Sequence, residues 1–312
     1  MTERSSGILL HITSLPGVEG TGTLGKEAFQ FIDLLKDTKQ KYWQILPIGP
    51  PGSGNSPYQC YSAFAGNPLL IDLHELESIG LLSKKELSGI PRFPRNSCNF
   101  EKAAFWKMPL LKKTFEYFQK NLPVNLTDAY IQFQKEHNWW LEDYALFMSA
   151  KKYFQNAPWL QWDEGLKYRH EKAMTCFRNR LEKDCEEQKF IQFLFFRQWF
   201  NLKKYANSKG IQIIGDLPLY VSGNSVDVWA NTDIFQLDGN LEPLFTGGVP
   251  PDYFSDTGQM WGNPVYDWHE LKKRDYDWWM ARLHFNLNLH DKVRIDHFRG
   301  LESFWAVPAN EK

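Results

Sequence analysis

The beginning of the chain shows two short apolar runs with an amphipathic segment between them. The runs GILLHIT (Gly7–Thr13) and YWQILPI (Tyr42–Ile48) are each typical of a buried strand, because they are short, apolar and close to turn residues. Between them, the apolar residues of Lys26–Lys36 recur at helical spacing. Strand, helix and strand in this order predict a βαβ unit, whose two strands are parallel.

The middle of the chain is dominated by helical periodicity. Residues 76–185 are mostly helical in pattern, with Tyr130–Phe154 and Glu171–Glu187 as the clearest examples. This stretch interrupts the alternation of strands and helices, so we interpret it as a helical insertion after the second strand. The next segment, Phe190–Ser208, predicts a strongly apolar helix that ends near Gly210.

Two more strands are predicted after the insertion, over Ile211–Gly215 and Lys292–Asp296. A helix over Asp277–His290 precedes the last strand, and Asp216–Pro264, rich in Gly, Pro, Asn and Asp, predicts a long loop. Four strands, each of the last three preceded by a helix, predict an α/β fold: about the first four strands of a (β/α)8 TIM barrel, with a mostly helical insertion. An open doubly wound sheet is the alternative, but no GxGxxG motif follows the first strand.

Composition narrows the class of protein. Aromatic residues make up 16% of the chain, charged residues 23%, and the formal net charge is -1. Such a chain is too apolar to be disordered and lacks the positive balance of a nucleic-acid-binding protein. No apolar run approaches the ~20 residues that a membrane-spanning helix needs. We therefore expect neither nucleic acid nor membrane among the partners.

The cysteines and glycines predict neither a metal site nor a phosphate loop. The four cysteines show no CxxC spacing and no histidines at metal-ligand spacing, so we expect no metal and four reduced thiols in a cytoplasmic protein. The apolar run Ile8–Leu10 is shorter than the ~7–15 residues of a signal-peptide core. The glycine-rich stretches lack the GK[ST] ending of a phosphate loop, and no cofactor is expected.

Polar side chains at the ends of the predicted strands are the candidates for catalysis. Active sites of such barrels lie at the carboxyl ends of the strands, where Asp216 and, after the last strand, His297 are found. Side chains alternate along a strand, so Arg294 and Asp296 point to the same side. The guanidinium would keep Asp296 in the charged form that a carboxylate nucleophile needs. The alternative is an Arg–Asp pair that only closes the end of the strand, with Asp216 as a turn residue.

Aromatic residues in polar loops are the candidates for ligand contact. Aromatic residues on helices usually belong to the core, whereas those in loops over a barrel mouth more often meet a ligand. Sugar rings have apolar C–H faces that stack on aromatic rings, and amides can bond hydroxyl groups. The alternative for the amides is turn stabilisation. The loop candidates are Tyr58, Tyr253, Phe254, Trp261, Gln259 and Asn263.

Five segments together carry a resemblance to a known family. They are HITSLPG (His11–Gly17), SPYQCYSAFAGNPLLIDL (Ser56–Leu73), IIGDLPLYVSGNSVDVW (Ile213–Trp229), GVPPDYFSDTGQMWGNPVYDW (Gly248–Trp268) and RIDHFRG (Arg294–Gly300). In sequence and order they resemble the amylomaltases, the 4-α-glucanotransferases of glycoside hydrolase family 77. The resemblance implies transfer of α-1,4-glucan segments between maltooligosaccharides by retaining double displacement. Its implied partners are α-1,4-glucans and maltooligosaccharides.

The resemblance also implies roles for individual residues. Asp296 matches the catalytic nucleophile, with Arg294 beside it. Tyr58 and Asp216 match residues around the sugar whose bond is cleaved, and Trp261 matches an aromatic residue of the acceptor side. The remaining substrate-binding candidates are Tyr253 and Phe254 in a flexible loop over the groove, and Gln259, Asn263 and His297.

In the resembled family, the acid/base glutamate and a third essential aspartate follow on later strands than the fourth. We therefore expect this chain to be an N-terminal fragment of one catalytic domain, without transferase activity of its own. Its expected segments are 1–75 with strands one and two, 76–185 as the insertion, and 186–312 with strands three and four and the long active-site loop. Glu302 is not assigned as the acid/base. Two alternatives stay open, a glucan hydrolase of the amylase clan and a non-catalytic glucan-binding remnant.

Overall fold

The computed structural model describes residues 4–94, 96–251, 253 and 255–311. Its strands are β1 (Gly7–Leu9), β2 (Tyr42–Gln44), β3 (Gln212–Pro218), β4 (Phe245–Val249), β5 (Gln259–Pro264), β6 (Lys292–Asp296) and β7 (Trp305–Pro308). Its α-helices are α1 (Lys26–Asp37), α2 (Leu73–Ser78), α3 (Lys84–Leu87), α4 (Phe100–Asn121), α5 (Val124–Tyr153), α6 (Glu164–Lys167), α7 (Glu171–Arg180), α8 (Glu182–Ser208), α9 (Val226–Ala230), α10 (Trp268–Lys273) and α11 (Asp277–Leu289).

The predicted parallel sheet is confirmed. Its strand order is β1-β2-β3-β6, and every neighbouring pair is parallel. Asp216 of β3 lies opposite Arg294 of β6, and Pro218 lies opposite Asp296. Because these strands are parallel and in this register, their carboxyl ends meet at one edge of the sheet, where the polar candidates were predicted to lie.

Within the parallel sheet, each strand after β1 is preceded by the predicted helix. Helix α1 buries Ala28, Ile32 and Leu35, which recur at helical spacing, while its charged residues face solvent. The indole of Trp199 on α8 donates a hydrogen bond to the carbonyl of Leu289 at the end of α11, over 3.1 Å. The helices thus cover the sheet and bury its central strands.

The stretch between β2 and α8 is mostly helical, as predicted, with one boundary corrected. The prediction of one helix over Glu171–Glu187 was wrong, because α7 ends at Arg180 and α8 begins at Glu182. Leu181 between them has φ -106° and ψ 15°, which interrupts the helical path. A sequence pattern cannot show this break because Leu181 is itself a good helix former.

The predicted long loop over 216–264 was wrong in its central part. This region contains the short helix α9 and the strands β4 and β5, which form a second, antiparallel sheet in the order β5-β4-β7. Glycines hide β4 from a propensity argument, since they are poor strand formers. Here they permit close approach: a Cβ on Gly247 would lie 2.5 Å from the ring of Tyr220.

The first strands are shorter than predicted, and β1 is not buried. The side chain of Leu9 is 57% exposed, whereas Trp43 of β2 is 0% exposed. In the part of the chain that the structure describes, β1 lies at the edge of the parallel sheet and β2 lies inside it. The apolar pattern alone does not distinguish an edge strand from a central one.

Candidate active site

Four side chains form a connected hydrogen-bond network where β3 and β6 end. Arg294 donates from Nη1 to Asp216 Oδ1 over 2.7 Å and from Nη2 to Asp296 Oδ1 over 2.5 Å. The hydroxyl of Tyr58, from the loop after β2, donates to Asp216 Oδ2 over 2.7 Å. The predicted contact between Arg294 and Asp296 is therefore confirmed, and the network brings Tyr58 and Asp216 to the same place.

The two carboxylates of the network differ in exposure. The side chain of Asp216 is 1% exposed and uses both oxygens within the protein, whereas the side chain of Asp296 is 36% exposed. Asp296 is therefore the carboxylate that an incoming ligand can reach. Asp216 instead fixes the positions of Tyr58 and Arg294 by accepting a hydrogen bond from each.

Burial and hydrogen bonding set the protonation of this network. Burial raises the pKa of Asp216, and the hydrogen bonds from Tyr58 and Arg294 oppose that rise. Burial also raises the pKa of Tyr58, and its bond to Asp216 adds to the effect. The Tyr58 hydroxyl thus stays protonated at neutral pH, as the donor that the geometry requires.

A cleft of about 330 Å³ lies over Asp296. Its walls combine aromatic rings with amide and carboxylate groups, as ligand-binding clefts commonly do. The lining residues are Ser56, Tyr58, Gln59, Pro218, Leu219, Tyr220, Trp261, Asn263, Asp296 and His297.

Trp261 and His297 form one wall of this cleft. Their ring centroids are 5.1 Å apart with the planes at 89°, and the indole N–H of Trp261 donates to Gln259 Oε1 over 3.0 Å. His297 has a φ of 54°, in the left-handed region that non-glycine residues rarely adopt. Burial lowers its pKa, so the imidazole is neutral at pH 7. The wall is therefore a fixed aromatic surface.

The two amides predicted to bind substrate have protein partners. Gln259 is exposed and supports the indole of Trp261. Asn263 is buried; its Oδ1 accepts from Gln59 over 3.0 Å, and its Nδ2 donates to the carbonyl of Val221 over 2.7 Å. These contacts favour the structural alternative for Asn263.

Of the loop aromatics predicted to cover the groove, the described one is not part of the cleft wall. Tyr253, between β4 and β5, is 98% exposed and is not among the residues that line the cleft. Phe254 lies outside the described residues. Their predicted role over the groove thus stays a prediction.

Two residues that contribute to the site were not among the predicted ones. Tyr220 lines the cleft, with its ring 6.2 Å from both Trp261 and His297. Its position just after Asp216 in the segment DLPLY was the available signal. Arg282 on α11 is buried and donates to the carbonyls of Pro218, over 2.7 Å, and Leu219, over 2.9 Å. It holds the end of β3, and no sequence motif marks it.

A buried carboxylate lies behind the network. A small cavity of about 50 Å³ is lined by Tyr58 and Asp216 on one side and by Asp227 and Arg282 on the other. Asp227 accepts a hydrogen bond from the backbone N–H of Ala63 over 2.8 Å. Burial raises its pKa to about 6. Asp227 thus anchors the segment that follows Tyr58 in the chain.

The described part of the chain contains no cluster of three or more His, Cys, Asp or Glu side chains that could hold a metal ion. Among the helices described, none combines the length and apolarity needed to cross a membrane.

A parallel sheet with a carboxylate network and an aromatic cleft at its carboxyl edge is typical of an α/β protein with a ligand-binding site at the ends of its strands. The family model described as 4-alpha-glucanotransferase matches residues 10–312. The chain therefore belongs to the 4-alpha-glucanotransferase family.

Individual relatives agree with this assignment. The chain is 48% identical to a 4-alpha-glucanotransferase of Synechocystis in an alignment that covers 100% of the chain. It is 47% identical to one of Aquifex aeolicus in an alignment that covers 99% of the chain. Each alignment covers 62% of the relative. The solved amylomaltase of Streptococcus agalactiae in complex with acarbose matches 99% of the chain with a TM-score of 0.95 and 41% identity, over 62% of its own length. An amylomaltase of Corynebacterium glutamicum, at 17% identity and a TM-score of 0.78, shares the fold. The chain thus spans less than two thirds of the first of these relatives.

Proposed function

We propose that the cleft over Asp296 is the nucleophile side of a 4-α-glucanotransferase site that acts on α-1,4-glucans and maltooligosaccharides. The observation that carries the proposal is the partly exposed carboxylate of Asp296, held by Arg294 in a cleft with an aromatic wall. The family assignment and the acarbose bound in the Streptococcus agalactiae amylomaltase support it.

The chemistry would be a retaining double displacement. An oxygen of Asp296 attacks the anomeric carbon, the new carboxylate–carbon bond forms, and the glycosidic carbon–oxygen bond breaks. A carboxylic acid protonates the leaving oxygen. The 4-hydroxyl of a second glucan then gives its proton to the carboxylate left by that acid, attacks the same carbon and releases Asp296, so the configuration is retained and the segment has been transferred.

The network would prepare Asp296 for this attack. Arg294 stabilises the charged carboxylate and orients it, while the buried Asp216, anchored by Tyr58, holds Arg294 in place. The indole of Trp261, held by its hydrogen bond to Gln259, would stack against a sugar ring. Among the described residues that line the cleft, Asp296 is the one carboxylate, so we assign no residue of the cleft as the acid.

We further infer that the parallel sheet is half of a (β/α)8 barrel. The division expected from the sequence goes with it: 1–75 with the first two strands, 76–185 as the insertion, and 186–312 with the other two strands and the active-site loop. The strand order β1-β2-β3-β6 supports this, because it advances in one direction without the reversal of a doubly wound sheet. The four cysteines, free in the described structure, fit the cytoplasmic location that we propose.

Two measurements test the proposed function. With maltotriose, the catalytic domain at the full length of its relatives should produce both glucose and oligomers longer than maltotriose, whereas the 312-residue chain alone should not, as its sequence leads us to expect. With α-maltosyl fluoride, whose fluoride leaves without protonation, rapid quenching and mass spectrometry should detect one maltosyl group on the peptide that contains Asp296. The variant Asp296→Asn should lose both signals, whereas Asp128→Asn, at an exposed position of α5, should keep them.

The products distinguish the alternatives. Products that are all shorter than maltotriose would identify a hydrolase. Retention of acarbose without any adduct from the fluoride would identify a binding protein. Either result overturns the proposed transferase.

A further inference from the structure

A second groove lies away from Asp296, between α5 of the insertion and the helices α9 and α11. It has a volume of about 310 Å³ and is lined by the aromatic residues Trp139, Trp140 and Trp278 together with polar groups. Neither Trp139 nor the polar residues of its rim line the cleft over Asp296. The groove is therefore a separate surface feature.

Trp139 provides an open and fixed aromatic surface in this groove. Its side chain is 52% exposed, although two aromatic residues contact it. The rings of Phe64 and Phe285 lie 4.8 Å and 6.2 Å away, at interplanar angles of 79° and 81°. These edge-on contacts hold the indole in place while half of it stays in water. A stacked apolar face would remove that surface from water and so bind favourably.

The polar rim of the groove is also fixed before a ligand arrives. Asp143 is held by Arg169, with distances of 3.0 Å and 2.8 Å from Nη2 to its two oxygens. Arg274 bridges Asp277 and Asp233, at 2.9 Å and 2.6 Å. Carboxylate oxygens have further lone pairs that accept from hydroxyl groups. Because these side chains are already ordered, a ligand would lose little of its binding free energy to ordering them.

We propose that this groove binds a segment of α-1,4-glucan outside the cleft. A flat aromatic surface beside fixed acceptor groups suits a neutral polyhydroxyl ring. The rim carboxylates Asp143 and Asp277 disfavour an anion, because Arg274, the one cation among the described residues that line the groove, is already paired with carboxylates. The identity of the ligand rests on the proposed function, because the substrate there is a glucan polymer. A glucan held in the groove stays near the catalytic network, since Ser62 and Phe64 line both the groove and the cavity behind Tyr58.

Native electrophoresis in gels with and without amylopectin tests the groove. Trp139→Ala removes the aromatic surface, and Ala281→Trp fills the groove without removing Trp139. Trp261→Ala weakens the binding of glucan in the cleft over Asp296. Phe105→Ala is the matched control, because Phe105 is an 86% exposed aromatic residue on α4. Equal thermal midpoints of unfolding establish that each variant is folded.

The expected result is that Trp261→Ala is still retarded by amylopectin and that adding Trp139→Ala or Ala281→Trp weakens retention about tenfold. Phe105→Ala should behave as the unmodified protein. Equal retention of Trp261→Ala with and without Trp139→Ala would overturn the proposal, and so would an unmodified protein that amylopectin does not retard.

Transfer on maltotriose separates this proposal from the proposed function. The groove variants should leave that activity unchanged, because so short a substrate needs only the cleft. If the groove variants lose retention and the unmodified catalytic domain at the full length of its relatives shows no transfer, the transferase is refuted but the groove remains a glucan site. Normal transfer with unaltered retention in both groove variants would refute the groove alone.

Discussion

The hydrogen-bond network of the site depends on the hydroxyl group of Tyr58. In the variant Tyr58→Phe, Asp216 Oδ2 would remain buried without its donor, at a cost of about 1–3 kcal/mol. Because the bond from Tyr58 opposes the rise in the Asp216 pKa, its loss should raise that pKa further. We expect kcat/KM on maltotriose to fall roughly tenfold to a hundredfold and the acid limb of the pH profile to move to higher pH.

A matched control for this prediction exists in the same chain. Tyr205 on α8 donates to Asp33 Oδ1 over 2.8 Å, a similar Tyr–Asp bond away from the cleft. Tyr205→Phe should leave the pH profile unchanged. A Tyr58→Phe profile that superimposes on that of the unmodified protein would show that Asp216 does not depend on Tyr58.

Asp227 should make stability depend on pH. Burial raises its pKa from 3.8 to about 6, so the folded state disfavours the charged form, and stability is lost as pH rises through about 6. Asp227→Asn keeps an oxygen to accept from Ala63 and removes the charge. We expect the variant to gain about 3 kcal/mol over the unmodified protein between pH 4 and pH 8.

Urea unfolding at both pH values measures the effect of Asp227. The exposed Asp128→Asn, with the same change of charge, should show no such trend. A constant difference between Asp227→Asn and the unmodified protein across this range would contradict the assigned origin of the effect.

At this scale the sequence predicted local relations well and distant ones poorly. Alternation along one strand was enough to place Arg294 and Asp296 together. The bond between Tyr58 and Asp216 joins residues 158 positions apart, so no spacing rule predicts it. The pattern singled out each residue separately, and only the resemblance to a family placed both around one sugar. Arg282 belongs to no recognisable motif. It donates to two backbone carbonyls, and backbone carbonyls are present in every sequence, so the residues around it do not mark this contact.

At the scale of elements, a glycine of β4 leaves the space that a ring of the cleft wall occupies. Gly247→Ala would place a Cβ 2.5 Å from the ring of Tyr220, which packs beside Trp261 and His297. Because that ring must shift, we expect a loss of about 1–3 kcal/mol in the free energy of unfolding. Acarbose binding, measured by calorimetry, should weaken as well.

Gly239→Ala is the control for this steric prediction, since a Cβ there would meet nothing within 4 Å. If both alanine variants show the same stability and the same affinity, the close approach of β4 to Tyr220 is not what shapes the cleft.

The elements that periodicity describes were predictable, and those that depend on tertiary contact were not. Helices α1, α5 and α11 and the parallel strands follow from regular apolar spacing. The second sheet was missed because its strand β4 contains two adjacent glycines, which usually indicate a loop. This sheet forms because β4 pairs with β5 on one side and with β7 on the other. A local sequence pattern does not show which strands pair.

At the scale of the whole molecule, the sheet and the insertion share one continuous core. Trp43 of β2, Leu111 of α4 and Phe190 of α8 all belong to the same buried cluster. The sequence divides the chain into segments by their periodicity, but it does not show which apolar faces meet. Contacts such as the stacked rings of Phe118 and Phe190, 4.5 Å apart, join segments that the pattern treats separately.

A buried ion pair fastens the insertion to the loop after β1. Lys107 of α4 lies 2.7 Å from Glu19, and their side chains are 0% and 2% exposed. Lys107 also donates to the carbonyls of Leu69 and Ile71, both over 2.8 Å. Breaking a buried pair from one side leaves an uncompensated charge, so Lys107→Met should lower the free energy of unfolding by about 3–5 kcal/mol.

The double variant distinguishes the charge from the packing. Adding Glu19→Gln to Lys107→Met removes the remaining charge, so it should recover part of the loss in chemical unfolding. The exposed pair of Lys152 and Asp184, at 2.7 Å, is the control; Lys152→Met should cost less than about 1 kcal/mol. If the double variant is no more stable than Lys107→Met, the bonds from Lys107 to the two carbonyls, and not its charge, hold the insertion against the sheet.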